Sequence, residues 1–405
     1  MANDTLVALC AQSVKRFGEG RVMTGLAPLR DMRRNVWDFP RLMTGVFPLD
    51  YCMGGGVPMN VPIQFYGPPD SLKSTTAYLT ARSLSGTCMN TDCMKPLALC
   101  KCEKPLIQKT MLCQFEGNSL DDTWFMTLGY DADEHMVVAF PDYAEQGCEI
   151  IEAAVRSDDC GLVIVDSIGS MIPRAELEGS YEDTFIGNQS RLLTRFIKRL
   201  SNILVGELRR GHFVSVILIN QVRSNIGGGL FSPSESTAGG YALRHGVRMS
   251  VRFSQLSLQV AGEKTHEGMK NLLRASASLI SPSSKQQMLI LEGKCEFKLI
   301  VRDYLDYRVG SVLDFKTVME KAKEFDMLKG SSTSQYTIDG AELFSCRLQK
   351  EIEEPFKTWE GGYADAIRYA VLSVARKNAF VKIQESGSRV LLAAKLRAQE
   401  ALEDH

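Results

Sequence analysis

A chain of 405 residues with 47 basic and 48 acidic side chains carries a formal net charge of −1, so any contact with nucleic acid has to come from local basic groups rather than a global field. Apolar and charged fractions of 44% and 23% are ordinary for a soluble globular protein, and the length argues for two or three structural units around at least one substantial core. No segment approaches the roughly 20 uninterrupted apolar residues of a membrane span. Asp4 precedes a short amphipathic stretch unlike a signal peptide, and eleven cysteines, some inside apparent strands (Cys113, Cys295), fit a reducing interior. A cytoplasmic protein is expected.

Residues 1–45 read as an arm: Leu6, Leu9, Cys10, Ser13, Val14 and Phe17 fall at helical spacing before Gly18 and Gly20 stop the helix. From 46 to 308, short apolar strands alternate with helices, which predicts a mostly parallel sheet covered on both faces. The expected strands are Pro62 to Tyr66, Met111 to Phe115, Met136 to Phe140, Leu162 to Asp166 and Val214 to Asn220; the expected helices include Thr75 to Leu84, Tyr143 to Val155 and Ser190 to Leu208.

Between the first strand and its helix lies Gly67-Pro68-Pro69-Asp70-Ser71-Leu72-Lys73-Ser74-Thr75. The spacing is that of a phosphate-binding P-loop, except that Leu72 stands where glycine is usual. Backbone N–H groups at such a helix start can hold phosphate oxygens, Lys73 can neutralise them and the Ser74 hydroxyl can ligate magnesium. Leu72 lends none of these groups, so only backbone freedom is at stake. The alternative is a Gly/Pro/Ser turn before a helix.

The insertion 86–108 then places Cys88, Cys93, Cys100 and Cys102 within fifteen residues. Four thiolates in a polar segment with few apolar residues suit a structural zinc ion; unliganded surface cysteines are the alternative, and adjacent disulfides are disfavoured in a reducing cell. Three strand ends carry further polar groups. Asp166 sits where a carboxylate supports a magnesium-bound water, Glu116 where one orients a water attacking a γ-phosphate or else caps a helix, and Gln221 where an amide senses that phosphate at the start of a long glycine-rich stretch. A second loop runs from Arg174 to Gly187, and Arg191, Arg195, Lys198 and Arg199 follow on a helix. Backbone amides, hydroxyls and arginines of this kind match single-strand phosphates; a solvated basic face is the plainer reading. Residues 309–405 read as charged helices with few strands.

In order, these motifs resemble the RecA family of homologous-recombination ATPases. Lys15-Arg16-Phe17-Gly18-Glu19-Gly20, Thr44-Gly45, Leu49-Asp50, Gly54-Gly55-Gly56-Val57-Pro58, Pro141-Asp142, Val165-Asp166-Ser167, Pro173 to Gly179 and Asn220 to Gly227 carry the resemblance. It implies an α/β RecA-type P-loop core (46–308) with an N-terminal oligomerisation arm and a smaller C-terminal domain (309–405). It also implies a DNA-dependent ATPase that forms a helical filament on single-stranded DNA and exchanges strands with duplex, using ATP and Mg2+, with single-strand-binding and loader proteins as partners and no membrane.

By matching position, Asp121 and Trp124 hold adenine, with one residue inserted and Trp keeping the stacking face. Arg244 and Lys294 stand for cations that complete the site across a subunit boundary, and Arg191, Lys198, Arg223 and Ile226 lie at DNA contacts, with Arg174, Asn225 and Gly227 in the same loops. A bulky apolar residue at 72 resembles the phage recombinases of the UvsX type. The rival readings are a hexameric RecA-core helicase motor, which lacks the arm and closes into rings, and a mediator that has lost hydrolysis.

Overall fold

The structure is a computed structural model, which describes residues 40–117, 121–180, 185, 187–224, 235–237, 243, 246–256, 272–280, 289–301, 306–329, 337–338, 349–359, 362–379 and 381. The chain divides into two compact units, Met1–Pro40 and Arg41–His405, and every described helix and strand belongs to the second. The expected arm helix lies outside the described residues.

Among the described residues nine strands make one sheet, eight of them in a continuous run and the ninth, Glu235–Thr237, paired beside it with the end of Ser215–Ser224. In chain order the eight are β1 (Pro62–Gly67), β2 (Lys109–Gln114), β3 (Met136–Ala139), β4 (Cys160–Asp166), β5 (Ser215–Ser224), β6 (Met249–Gln255), β7 (Leu272–Ile280) and β8 (Lys294–Ile300). Their order across the sheet is β8-β7-β6-β1-β5-β4-β2-β3. From β6 to β3 every pair is parallel, while β6–β7 and β7–β8 are antiparallel. The central parallel strands are apolar runs because helices cover both faces, and all seven residues of β4 are buried. Of the three strands at the other side, β8 holds Cys295, which the sequence places inside an apparent strand, while β6 and β7 are not among those expected. They alternate instead, as the burial of β8 shows, and alternation without a long apolar run is a weaker signal.

Three helices matter most for the site. α1 (Lys73–Ser85) follows β1, α2 (Ala144–Val155) precedes β4, and α3 (Asn188–Arg210) precedes β5. α3 buries Leu193, Phe196, Ile197, Leu200 and Leu204 at helical spacing against the sheet. Arg199 ties it to α2, donating to both carboxylate oxygens of Glu152 at 2.8 and 2.7 Å. The Arg199 side chain stays exposed while it makes this pair.

A second apolar cluster joins Met43 and Phe47 to Ile300, Tyr307, Phe315, Val318, Phe356 and Ile367, so the chain beyond 309 packs directly on the start of the core. A buried bidentate pair stitches the same junction: Arg368 donates to Asp314 at 3.0 and 2.7 Å, and Asp314 also accepts from the Phe47 amide. Removing one partner of such a pair leaves an uncompensated buried charge. Among the described residues no helix is long and apolar enough to cross a membrane.

Candidate active site and cysteine cluster

The phosphate-binding turn starts where β1 ends. A Cβ on Gly67 would fall 2.3 Å from the carbonyl oxygen of Phe253 on β6, so only glycine lets the turn leave the sheet at this point. Leu72 then takes φ 67° and ψ 21°, the left-handed conformation that its missing glycine would have adopted easily. A non-glycine residue pays about 1–2 kcal/mol for this. Burial of the Leu72 side chain and two hydrogen bonds accepted by its carbonyl, from the Thr76 amide at 2.9 Å and hydroxyl at 2.7 Å, hold it there. No side chain caps α1, whose first amides point into the turn's mouth as in any helix start. Lys73 curls back, its Nζ 2.6 Å from the Pro68 carbonyl and 3.3 Å from Ser71 Oγ. Burial pulls its ammonium below the ordinary lysine range, against the opposing pull of Asp166, Glu116 and Asp70.

Sheet register brings the polar strand ends together. Gly67 lies opposite Gln221 and Gln114 opposite Asp166. Ser74 Oγ donates to Asp166 Oδ2 at 2.7 Å. Glu116 Oε1 accepts from Gln221 Nε2 at 2.8 Å, from Ser167 Oγ at 2.6 Å and from Ser170 Oγ at 3.3 Å. Burial raises the Asp166 carboxyl to about 6, with Glu116 adding to the rise and Ser74, Lys73 and Tyr78 opposing it. Tyr78, Ser167 and Ser170 are site residues that sequence reasoning missed. Tyr78 lies one turn beyond Ser74 on α1, a spacing that would have found it.

The strand expected to end at Asn220-Gln221 instead runs on to Ser224, where Val222, Arg223 and Ser224 pair antiparallel with Thr237, Ser236 and Glu235. Beyond Gln221 its neighbours β1 and β4 have ended, so the backbone groups find partners in a returning segment.

At the other end of α1 the insertion forms a two-residue ladder, Thr87 opposite Pro96 and Cys88 opposite Lys95, followed by a single helical turn. Its four sulfurs lie within 4.8 Å of one another, with Cys88–Cys102 at 3.9 Å and Cys93–Cys100 at 3.7 Å. Tetrahedral zinc with Zn–S of about 2.3 Å spaces its sulfurs about 3.8 Å apart, whereas a disulfide needs about 2.0 Å. All four are free thiols. The donor set fits a soft divalent ion.

The RecA N-terminal domain family model matches residues 5–291. The chain belongs to the RecA family. It is 29% identical to Protein RecA of Clostridium tetani over 306 residues, 74% of each chain. It is 27% identical to Protein RecA of Sulfurovum sp. over 309 residues, 76% of each, and 29% identical to that of Synechocystis sp. over 280 residues, 68% of this chain and 69% of the other. With membership comes the RecA-type fold and the family's business of ATP-dependent recombination and repair.

In this RecA-family chain the remaining expected residues are spread over several elements. Asp121 is the N-cap of a six-residue helix, Asp122–Thr127, that carries half-buried Trp124. Lys294 opens β8 and is exposed. Arg191, Arg195 and Lys198 are exposed and share one face of α3 by helical spacing, Arg191 and Arg195 lining one cleft beside the helix and Lys198 another. Arg174 is exposed too, its Nε donating to Glu178 at 2.7 Å and its guanidinium over Tyr143. Arg244, Asn225, Ile226 and Gly227 lie outside the described residues, as does the side chain of Arg223.

Proposed function

We propose that this RecA-family chain is a DNA-dependent ATPase that assembles as a helical filament on single-stranded DNA and promotes homologous pairing and strand exchange. The observation that carries this reading is the Glu116–Gln221 hydrogen bond. It links the carboxylate best placed for hydrolysis to the strand that leads into the expected DNA-binding loop. Lys73 and the first amides of α1 hold the ATP phosphates, and Ser74 and Asp166 supply two hard oxygen donors suited to Mg2+. Bound Mg2+ supplies neutralisation of charge on the transferred phosphoryl group. Glu116 orients the attacking water, while Gln221 exchanges its bond to Glu116 for one to the γ-phosphate and so moves the base of the loop.

Asp121 and Trp124 hold the adenine, and Arg244 and Lys294 reach a neighbouring subunit's nucleotide. Arg174, Arg191, Lys198, Arg223, Asn225, Ile226 and Gly227 take the phosphates and bases of the strand. Cys88, Cys93, Cys100 and Cys102 hold structural zinc. The bulky Leu72 supports a phage-encoded branch of the UvsX type, working inside a bacterial cell.

The test is ATP turnover with and without single-stranded DNA, together with negative-stain imaging of the complex. Stimulated turnover and open helical filaments are expected. Turnover indifferent to DNA points to a mediator, and closed rings to a helicase motor.

A further inference from the structure

The helix Asp122–Thr127 has too few residues to be stable alone. Its one buried side chain, Phe125, packs on Tyr78 of α1 with ring centroids 4.6 Å apart. Its last turn closes through Leu128 N to Trp124 O at 2.9 Å and Gly129 N to Met126 O at 3.0 Å. What lies beneath that turn comes from far along the chain. A Cβ on Gly129 would fall 2.1 Å from Cζ3 of Trp359, so the indole sits directly against this backbone. A Cβ on Gly310 would meet the Thr127 carbonyl at 2.4 Å and Trp359 Cη2 at 3.0 Å. The guanidinium groups of Arg82 and Arg308 lie over the indole at 4.7 and 4.6 Å, and Arg82 Nη1 also donates to the Leu128 carbonyl at 3.1 Å. Three segments, the end of α1, residues 308–310 and residue 359, therefore converge on the turn behind Trp124. The last two lie beyond residues 5–291, which the family model matches.

We propose that Trp359 is a positioning residue for base recognition: the C-terminal segment reaches back through this indole and fixes the helix that presents Asp121 and Trp124 to the adenine. This rests on the reading of Asp121 and Trp124 as the adenine site. An aromatic plate stacks well only if its own backbone is held, because a freely turning helix has to be ordered when the base arrives. Trp359 supplies that order before binding, with two cations holding the indole in turn. The contacts of Trp359 named above fall on Gly129, Gly310, Arg82 and Arg308 and on no residue of 67–75, and the link towards Asp166 runs only through Phe125 and Tyr78, so the larger effect falls on the base.

The experiment compares equilibrium binding of ATP with binding of inorganic tripolyphosphate, which has the phosphates and no base, in the full-length protein. Trp359→Ala is expected to weaken ATP about tenfold, the worth of a lost stacking contact, and tripolyphosphate by less than about twofold. Trp359→Phe, which keeps a ring against Gly129, restores most of the loss. Arg308→Ala keeps the indole and removes one cation; it shifts ATP in the same direction by about two- to threefold and serves where Trp359→Ala fails to fold. Equal weakening of both ligands by a folded variant, or of neither, overturns the proposal. Trp124→Ala is the control. If it leaves the ratio of the two affinities unchanged, the adenine reading fails and takes this proposal with it; if it shifts the ratio while Trp359→Ala does not, only the positioning role falls.

Discussion

The two ends of α1 hold polar groups together in opposite ways. At its start, Lys73, Ser74, Asp166, Glu116 and Gln221 are placed by the register of buried parallel strands, and each bond among them is a consequence of backbone already fixed by the core. About 20 Å away, at 1.5 Å per residue along the helix, the insertion gathers four thiols with only Thr87, Cys88, Met89 and Pro96 buried between 86 and 107. Leu106 and Ile107 are exposed there. One constellation is a by-product of packing; the other has little packing to rely on and depends on what the thiols share. A site of the first kind tolerates loss of its ligand, and a site of the second kind does not.

The largest effect separating the two ends belongs to Glu116. Glu116→Gln should lower ATP turnover by about 10²–10⁴-fold, the usual worth of a positioned base, while ATP binding and the metal content of the insertion stay as they were. Phosphate release beside a binding titration checks this, and a loss of less than about tenfold removes Glu116 from hydrolysis.

Next comes pH. Burial raises the Asp166 carboxyl to about 6 from its ordinary 3.8, so the folded protein holds this proton to a higher pH than the unfolded chain does. Without metal, the associated stability is present below about pH 4 and is lost as pH rises towards about 6. Magnesium requires the carboxylate, so Mg2+ affinity should rise through about pH 6, by roughly tenfold per unit below it, and flatten above. A flat profile from pH 5 to 8 would mean that Asp166 is already ionised without metal.

The third prediction tests the insertion alone. The purified protein should contain about one zinc per chain, and removing it by chelation or Cys93→Ser should open 86–108 to limited proteolysis while DNA-independent ATP turnover changes by less than about twofold. Metal-free protein that resists the protease equally well would show that packing suffices there after all.

The smallest effect is at Leu72. Leu72→Gly relieves about 1–2 kcal/mol of left-handed strain and gives up a buried side chain worth about 1.5–3 kcal/mol. ATP binding should stay intact or tighten modestly while the melting temperature changes by a few degrees at most. Loss of binding would assign the Leu72 side chain a packing role that the turn cannot do without.

Much of this was legible along the chain because parallel strands buried on both faces are apolar runs that give way abruptly to polar residues: Asp166 ends β4, Glu116 follows the end of β2 and Gln221 lies where the parallel pairing of β5 stops, so all three could be picked out before their meeting was seen. β6 and β7 were not legible, since Arg252, Ser254 and Arg274 interrupt them at strand spacing and no apolar run stands out. The tie of Ser167 and Ser170 to Glu116 left no signal, for it spans 51 and 54 residues of chain.

The sequence by itself determined the family, the phosphate turn with its one departure at Leu72, and the four cysteines, because each is a local pattern whose chemistry depends on spacing along the chain. Tertiary structure decided the rest. Only the strand register could show that Gln221 bonds Glu116 and that β5 continues past it. Only packing could set Trp359 against Gly129, since a contact between residues 230 apart leaves no mark on the sequence around either one.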